Sequence, residues 1–130
     1  MVLGVDFDNT IVSYDEVFHD IAVEDGLIPA GIARTKESVR NHLRRAGRED
    51  DWTRLQGEVY GARMDRARPF HGVLEALRDC ARDGIELAIV SHKTRHPYLG
   101  PRYDLHAAAR EWLEQRGFVG PDAPVAPERA

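Results

Sequence analysis

The chain contains 130 residues, of which 42% are hydrophobic and 31% charged, and its formal net charge is −4. This composition is typical of a globular domain, and it excludes a wholly disordered chain and argues against a nucleic-acid partner. No apolar run is long enough to cross a bilayer, and residues 1–10 lack the basic residues of a signal peptide, so we expect a cytoplasmic protein without a membrane partner.

A short apolar run opens the chain. Residues 2–5 are apolar or glycine and lead directly into Asp6. A continuous apolar run of this length is typical of a strand in a parallel sheet. The sequence therefore predicts a first strand that is buried on both faces.

Residues 13–68 carry helical patterns. Apolar spacing predicts a helix at about residues 15–25, which Gly26 ends. A second helix is predicted to begin at a Thr35 cap, and a third at an Asp51 cap. We expect these helices to form a small unit of their own.

The pattern changes after Pro69. A helix ending at Gly84 precedes an apolar run at 85–90, which predicts a second buried strand. A loop at 91–103 and a helix capped by Asp104 follow, and residues 118–119 are predicted to begin a third strand. Residues 121–130 are rich in proline and alanine and are predicted to be a flexible tail.

Two carboxylates follow the first predicted strand. Side chains two positions apart in an extended backbone point to the same side, so Asp6 and Asp8 face one site while Phe7 packs away. Two carboxylates in one small volume repel each other unless a cation or proton lies between them, and oxygen ligands suit Mg²⁺. The alternative is a strand end with solvated aspartates that cap the next turn.

These segments resemble a known enzyme superfamily. Residues 2–11, VLGVDFDNTI, resemble the first signature of the haloacid dehalogenase-like (HAD) phosphohydrolases, an apolar strand followed by Asp-x-Asp-x-Thr. Residues 86–94, ELAIVSHKT, resemble the second signature, a strand that ends in Ser or Thr. The approach to it, PFHGVLEALRDCARDGIELAIVS, is similar in its Pro-x-x-Gly helix entry and in the glycine before the strand.

The resemblance implies a fold, a cofactor and a reaction. The fold is α/β, a Rossmann-like parallel sheet with flanking helices, with a core of residues 1–12 and 69–120 and a helical cap at 13–68. The reaction is magnesium-dependent hydrolysis of a small phosphate monoester. Asp6 is implied as the nucleophile and Asp8 as the general acid and base; both are implied at the metal, and Ser91 is implied to bind the phosphoryl oxygens.

The later signatures of the superfamily are harder to find. The third is a lysine, for which Lys93 is the candidate, with a plain loop lysine as the alternative. The fourth is an acidic pair after a strand, and the available acids, Asp122 and Glu128, lie in the predicted tail. We therefore expect residues 1–130 to stop before both signatures.

A chain that stops there leaves two questions open. It is either an enzyme or a catalytically incomplete domain that acts as a binding or structural module. Without a neighbour on its far side, the first strand is also expected to present an open apolar edge that pairs with a second copy of the chain.

A cationic loop follows the second predicted strand. Two interpretations of this loop are open: its side chains bind an anionic substrate or product, or they are simply solvated. Its members are His92, Lys93, Arg95, His96, Arg102 and His106.

Overall fold

A computed structural model describes residues 1–130 and has α/β character. The helices are α1 (Asp15–Glu24), α2 (Lys36–Arg45), α3 (Glu49–Gly61), α4 (Val73–Arg82) and α5 (Leu105–Gln115). The strands are β1 (Val2–Asp6), β2 (Val12–Ser13), β3 (Arg68–Pro69) and β4 (Glu86–Val90). Short 3-10 helices occupy Met64–Arg66 and Pro127–Arg129.

The chain divides into two compact units. The first, the sheet unit, consists of Met1–Ser13, Arg68–Lys93 and Ala109–Ala130. The second, the helical unit, consists of Tyr14–Ala67 and Thr94–Ala108. Segment 94–108, which the sequence placed in the α/β core, therefore groups with the helices.

The sheet unit contains a parallel pair of strands. β1 and β4 lie in register from Val2 beside Glu86 to Asp6 beside Val90. β2 and β3 form a separate antiparallel pair. Buried side chains of this unit include Phe7, Ile11, Val12, Leu77, Leu87, Trp112, Leu113, Phe118, Val119 and Val125.

The prediction that β1 is buried on both faces is wrong. Val2 is 51% exposed and Leu3 44% exposed. The reason is that side chains leave a strand from its two faces, and no helix packs closely over the faces of β1, whose main contacts are with β4. The apolar run correctly predicted a strand, but it did not predict how much of the side-chain surface of that strand is buried.

The helical unit is built from α1, α2 and α3. The hydroxyl of Thr35 accepts a hydrogen bond from the backbone N–H of Ser38 at 3.0 Å, so the predicted cap of α2 is confirmed. The predicted Asp51 cap is wrong, because α3 begins at Glu49 with Arg48 at the cap position. Asp51 instead lies in the first turn, where its carboxylate accepts from Arg48 at 2.7 Å.

Segment 94–108 packs closely against α3 within the helical unit. Gly57 and Gly61 make this approach possible. An added Cβ on Gly57 would lie 2.8 Å from Pro97, and one on Gly61 would overlap the side chain of Tyr103. The sequence pattern of a polar, proline-containing loop carries no signal for such long-range packing.

Residues 121–130, predicted as a flexible tail, pack in the structure. Val125 is fully buried and forms an isolated bridge with Val119, so residues 118–119 do not begin a third strand of the β1–β4 sheet. The guanidinium of Arg110 donates to the carbonyls of Pro127 at 2.8 Å and Ala130 at 3.0 Å. One apolar side chain and these polar contacts hold the segment in place.

None of the five helices combines the length and the apolar character that crossing a membrane requires.

Candidate functional site

A tight turn follows β1 and positions the aspartates. The backbone N–H of Phe7 donates to the carbonyl of Val90 at 3.0 Å, which extends the strand pairing by one residue. The N–H of Asn9 then donates to Val12 at 3.0 Å, with Asn9 at a φ of 62°. Asparagine is one of the few residues that tolerates this left-handed conformation. The chain therefore turns tightly immediately after Asp8, and Asp8 and Val12 form an isolated parallel bridge.

Asp6 and Asp8 lie on either side of a buried aromatic residue. Phe7 is 1% exposed, and its ring meets that of Trp112 edge to face at 5.7 Å between centroids. Asp6 is exposed at the carboxyl end of β1, and Asp8 is partly buried. Anchoring Phe7 in the core fixes the backbone from which both carboxylates project.

Lys93 is the best-defined partner in this site. Its Nζ lies 2.6 Å from Oδ1 of Asp8, although the two residues are 85 positions apart in the chain. The Lys93 side chain is only 6% exposed, and its ammonium lies 5.6 Å from the centre of the Phe7 ring. Cation–π attraction and the ion pair both favour the charged ammonium.

Burial acts against that charge. Removal of the Lys93 ammonium from water lowers its pKa below the ordinary value, and attraction to Asp8 and Asp6 opposes this shift without cancelling it. Lys93 is therefore a poorly solvated cation whose charge depends on two carboxylates. The Lys93 side chain is therefore buried and paired, and its role as the lysine of the third signature stays a prediction.

Ser91 completes the group of predicted site residues. It is exposed and directly follows β4, whose last residue, Val90, lies beside Asp6. Its hydroxyl accepts a hydrogen bond from the backbone N–H of Lys93 at 3.3 Å. Asp6, Asp8, Ser91 and Lys93 all follow or end two adjacent parallel strands, and open α/β sheets place their sites at this end.

The donor set for a metal is small. Asp6 and Asp8 supply the oxygen atoms that a hard cation such as Mg²⁺ prefers. The structure contains no group of three or more histidine, cysteine or acidic side chains that could hold a metal ion. Asp122 and Glu128 are exposed and do not add to such a group. The two aspartates are thus of the ligand type that Mg²⁺ prefers.

The cationic loop is partly engaged in contacts of its own. Arg95 lies 3.4 Å from the carboxylate of Asp104, and Nδ1 of His96 lies 3.0 Å from the carbonyl of Tyr103. The Asp104 carboxylate also accepts from the backbone N–H of Ala107, and this bond, followed by attraction to Arg95, lowers its pKa. Arg95 and His96 therefore serve the local structure of segment 94–108.

Sequence reasoning missed the supporting role of the aromatic residues. The sequence pattern contains no signal that links Trp112 to Phe7. The structure places Trp112 between Phe7 and Phe118, with ring centroids 5.7 Å from each. This group of three rings includes Phe7, the residue between the two aspartates.

Comparison of the chain with models of protein families, with curated proteins and with solved structures found no match.

Proposed function

We propose that this chain is a haloacid dehalogenase-like phosphohydrolase that cleaves a small phosphate monoester with the help of Mg²⁺. In this proposal the β1–β4 pair belongs to a Rossmann-like sheet, and Asp6 is the nucleophile. The sequence signatures at residues 2–11 and 86–94 support it.

One observation supports the proposal most strongly. Asp8 and Lys93, from opposite parts of the chain, form a 2.6 Å ion pair beside the exposed Asp6. Asp6, the last residue of β1, is exposed, while Asp8 is held by Lys93. The arrangement provides one carboxylate available for attack and one held in a fixed position.

The first chemical step transfers the phosphoryl group to the protein. A carboxylate oxygen of Asp6 forms a bond to phosphorus while the bond from phosphorus to the ester oxygen breaks. Asp8, in its protonated form, gives its proton to the departing oxygen. The products of this step are an alcohol and a phosphorylated Asp6.

The second step releases phosphate. Asp8, now ionised, takes a proton from a water molecule, whose oxygen attacks phosphorus as the bond to Asp6 breaks. Inorganic phosphate leaves and Asp6 is regenerated. Ser91 donates a hydrogen bond to the phosphoryl oxygens, and Lys93 keeps Asp8 oriented and offsets negative charge. Mg²⁺, if held by the Asp6 carboxylate and the backbone carbonyl of Asp8, would reduce repulsion between carboxylate and phosphate.

The direct test uses intact-mass spectrometry and an aryl phosphate assay. The wild-type chain should release phosphate only with Mg²⁺, and Asp6→Asn should abolish turnover because an amide is a much weaker nucleophile. Asp8→Asn should accumulate a phosphorylated protein with a reactive phosphate donor. Magnesium-dependent hydrolysis by Asp6→Asn at near wild-type rate would rule out the mechanism.

A non-catalytic binding module is the second candidate. It is favoured by the absence of a third acidic side chain near the two aspartates. Such a module should bind inorganic phosphate or Mg²⁺ without turnover, and neither aspartate variant should become phosphorylated. Calorimetric titration of phosphate beside the hydrolysis assay separates the two functions.

A further inference from the structure

A buried histidine on α1 lacks hydrogen-bond partners. His19 is 6% exposed, and neither of its two ring nitrogens forms a hydrogen bond. A neutral imidazole has one donor and one acceptor, so both groups are unsatisfied. Unsatisfied buried polar groups are rare in folded proteins because they destabilise the fold. An apolar side chain at this position would avoid that cost, so packing alone does not explain the histidine.

The acidic group beside His19 belongs to the next residue in the chain. Nδ1 of His19 lies 3.6 Å from Oδ1 of Asp20, which is too long for a hydrogen bond. The Asp20 carboxylate is instead held by Arg34, whose Nη2 donates to Oδ1 at 3.0 Å and to Oδ2 at 3.2 Å. Arg34 belongs to the connection between α1 and α2, residues 25–35, so this ion pair ties the connection to α1.

Asp20 is the one acidic side chain within 4.0 Å of a His19 ring nitrogen. α2 and α3 pack against α1, but neither supplies a second acidic neighbour. Arg66 attracts Asp20 at longer range and is itself paired with Glu24 at 2.7 Å. The other acidic residues of α1 also lie beyond this distance; they are Asp15, Glu16 and Glu24. A charged His19 therefore has Asp20 as its available counterion.

Protonation changes what His19 can bind. Histidine is the side chain that ordinarily changes its charge between pH 5 and 8. The imidazolium has two donors and no acceptor, so Nδ1 becomes a charged donor that faces Oδ1 of Asp20. A buried charge is costly unless a carboxylate pairs with it. A movement of less than about 1 Å brings the two atoms within hydrogen-bonding distance.

We propose that His19 is a pH-sensing residue that, when protonated, takes the Asp20 carboxylate from Arg34. Both groups use the same oxygen, Oδ1, and two cations at one oxygen repel each other. Solvation decides which cation leaves. The Arg34 side chain is 54% exposed and can be hydrated, whereas a buried imidazolium has no other source of solvation. Acidification therefore releases Arg34 from α1.

The release is confined to one end of the connection. Near its other end, Nη1 of Arg48 donates to the carbonyl of Leu27 at 3.0 Å, a bond that does not depend on a group that titrates near neutral pH. The residues beside Arg34 should therefore loosen in acid while those beside Leu27 stay in place. This device lies within the helical unit and does not depend on the proposed reaction.

An NMR titration of the labelled chain from about pH 8 to about pH 5.5 tests the exchange, because ordinary carboxylates stay ionised over this range. The ring signal of His19, the Cγ signal of Asp20 and the Nε signal of Arg34 should shift with one common midpoint. Hydrogen exchange at the Thr35 amide, corrected for its intrinsic pH dependence, should rise at least about threefold in acid, whereas the Leu27 amide should not change.

Three variants separate this exchange from general effects of pH. His19→Gln keeps a polar side chain that does not titrate, so the Asp20 and Arg34 signals should stay constant. His42→Gln is the matched control, because His42 lies on α2 of the same unit, and it should behave like the wild type. Asp20→Asn removes the shared carboxylate at a half-exposed position, so the Arg34 signal should lose its dependence on pH even if His19→Gln does not fold.

The proposal fails if the His19 ring stays neutral over the whole range, since no charged donor then forms. It also fails if His19 titrates while the Arg34 signal does not move, which would show that Arg34 keeps the carboxylate. Equal pH-dependent shifts of Arg34 in the wild type and in Asp20→Asn would contradict it as well. Circular dichroism verifies that each variant is folded before its spectra are interpreted.

Discussion

Replacement of Lys93 by methionine removes its charge and keeps an unbranched side chain of similar length. The lost hydrogen bond between charged groups is worth about 1.5–3 kcal/mol, and the cation–π contact with Phe7 about 0.5–1 kcal/mol. Relief of the burial penalty that lowers the pKa of Lys93 offsets part of this loss. Since Asp8 is 30% exposed and can be hydrated, we expect a net destabilisation of about 1–2 kcal/mol, below that of a fully buried pair.

A double-mutant cycle isolates the interaction. Lys93→Met, Asp8→Asn and the double variant are compared by urea unfolding, and the coupling energy should be about 1–2 kcal/mol. Fluorescence in a Trp52→Phe background leaves Trp112, which lies against Phe7, as the reporter of the sheet unit.

The matched control is the Arg82–Asp79 pair of α4. Its atoms are 2.9 Å apart, but both side chains are about two-thirds exposed. Exposed pairs contribute little, so its coupling should be about 0.5 kcal/mol or less. A Lys93–Asp8 coupling no larger than this control would refute the inference that Lys93 holds Asp8 in place.

Three predictions concern the helical unit. Burial, a hydrogen bond with Asp25 and repulsion from Asp25 raise the pKa of Glu58 above 4.5. The folded state therefore holds a proton that the unfolded state releases, so the free energy of unfolding falls as pH rises from about 4.5 through the folded pKa. In thermal melts at about pH 4 to 7, the Glu58→Gln variant should show a smaller loss of stability with rising pH than the wild type. Thr35→Ala should cost about 1 kcal/mol in urea unfolding through the lost cap, with Thr35→Ser as a near-neutral control. Gly57→Ala should destabilise by about 1–3 kcal/mol despite the better helix propensity of alanine, because its Cβ would meet Pro97 at 2.8 Å; a gain in stability would refute this packing.

Local signals in the sequence located the elements well. The glycines at 26, 47, 84 and 117 all have positive φ in the structure. Each follows a helix within two residues of its end, where a left-handed residue is favoured. Thr35 and Asp104 cap α2 and α5 as predicted. Helix caps and helix ends depend on a few residues that are adjacent in the chain, so they can be predicted from a single sequence.

Features that depend on distant partners were not predictable in the same way. The exposure of Val2 and Leu3 depends on which elements cover the faces of β1, and an apolar run looks the same whether that cover is present or absent. The close approach of segment 94–108 to Gly57 and Gly61 is likewise encoded by two small residues far from that segment. The sequence did not predict the ion pair between Asp8 and Lys93, because it depends on the folded chain placing the carboxyl ends of β1 and β4 side by side.

The long separation between β1 and β4 has a consequence for synthesis in the cell. Lys93 follows Asp8 by 85 positions. At about 5–20 residues per second, the ribosome therefore needs roughly 4–17 seconds to deliver the partner of β1 after β1 itself has been made. The helices between them depend on local contacts and form much faster. Throughout that interval neither edge of Val2–Asp6 is paired, which leaves this apolar segment open to incorrect pairing.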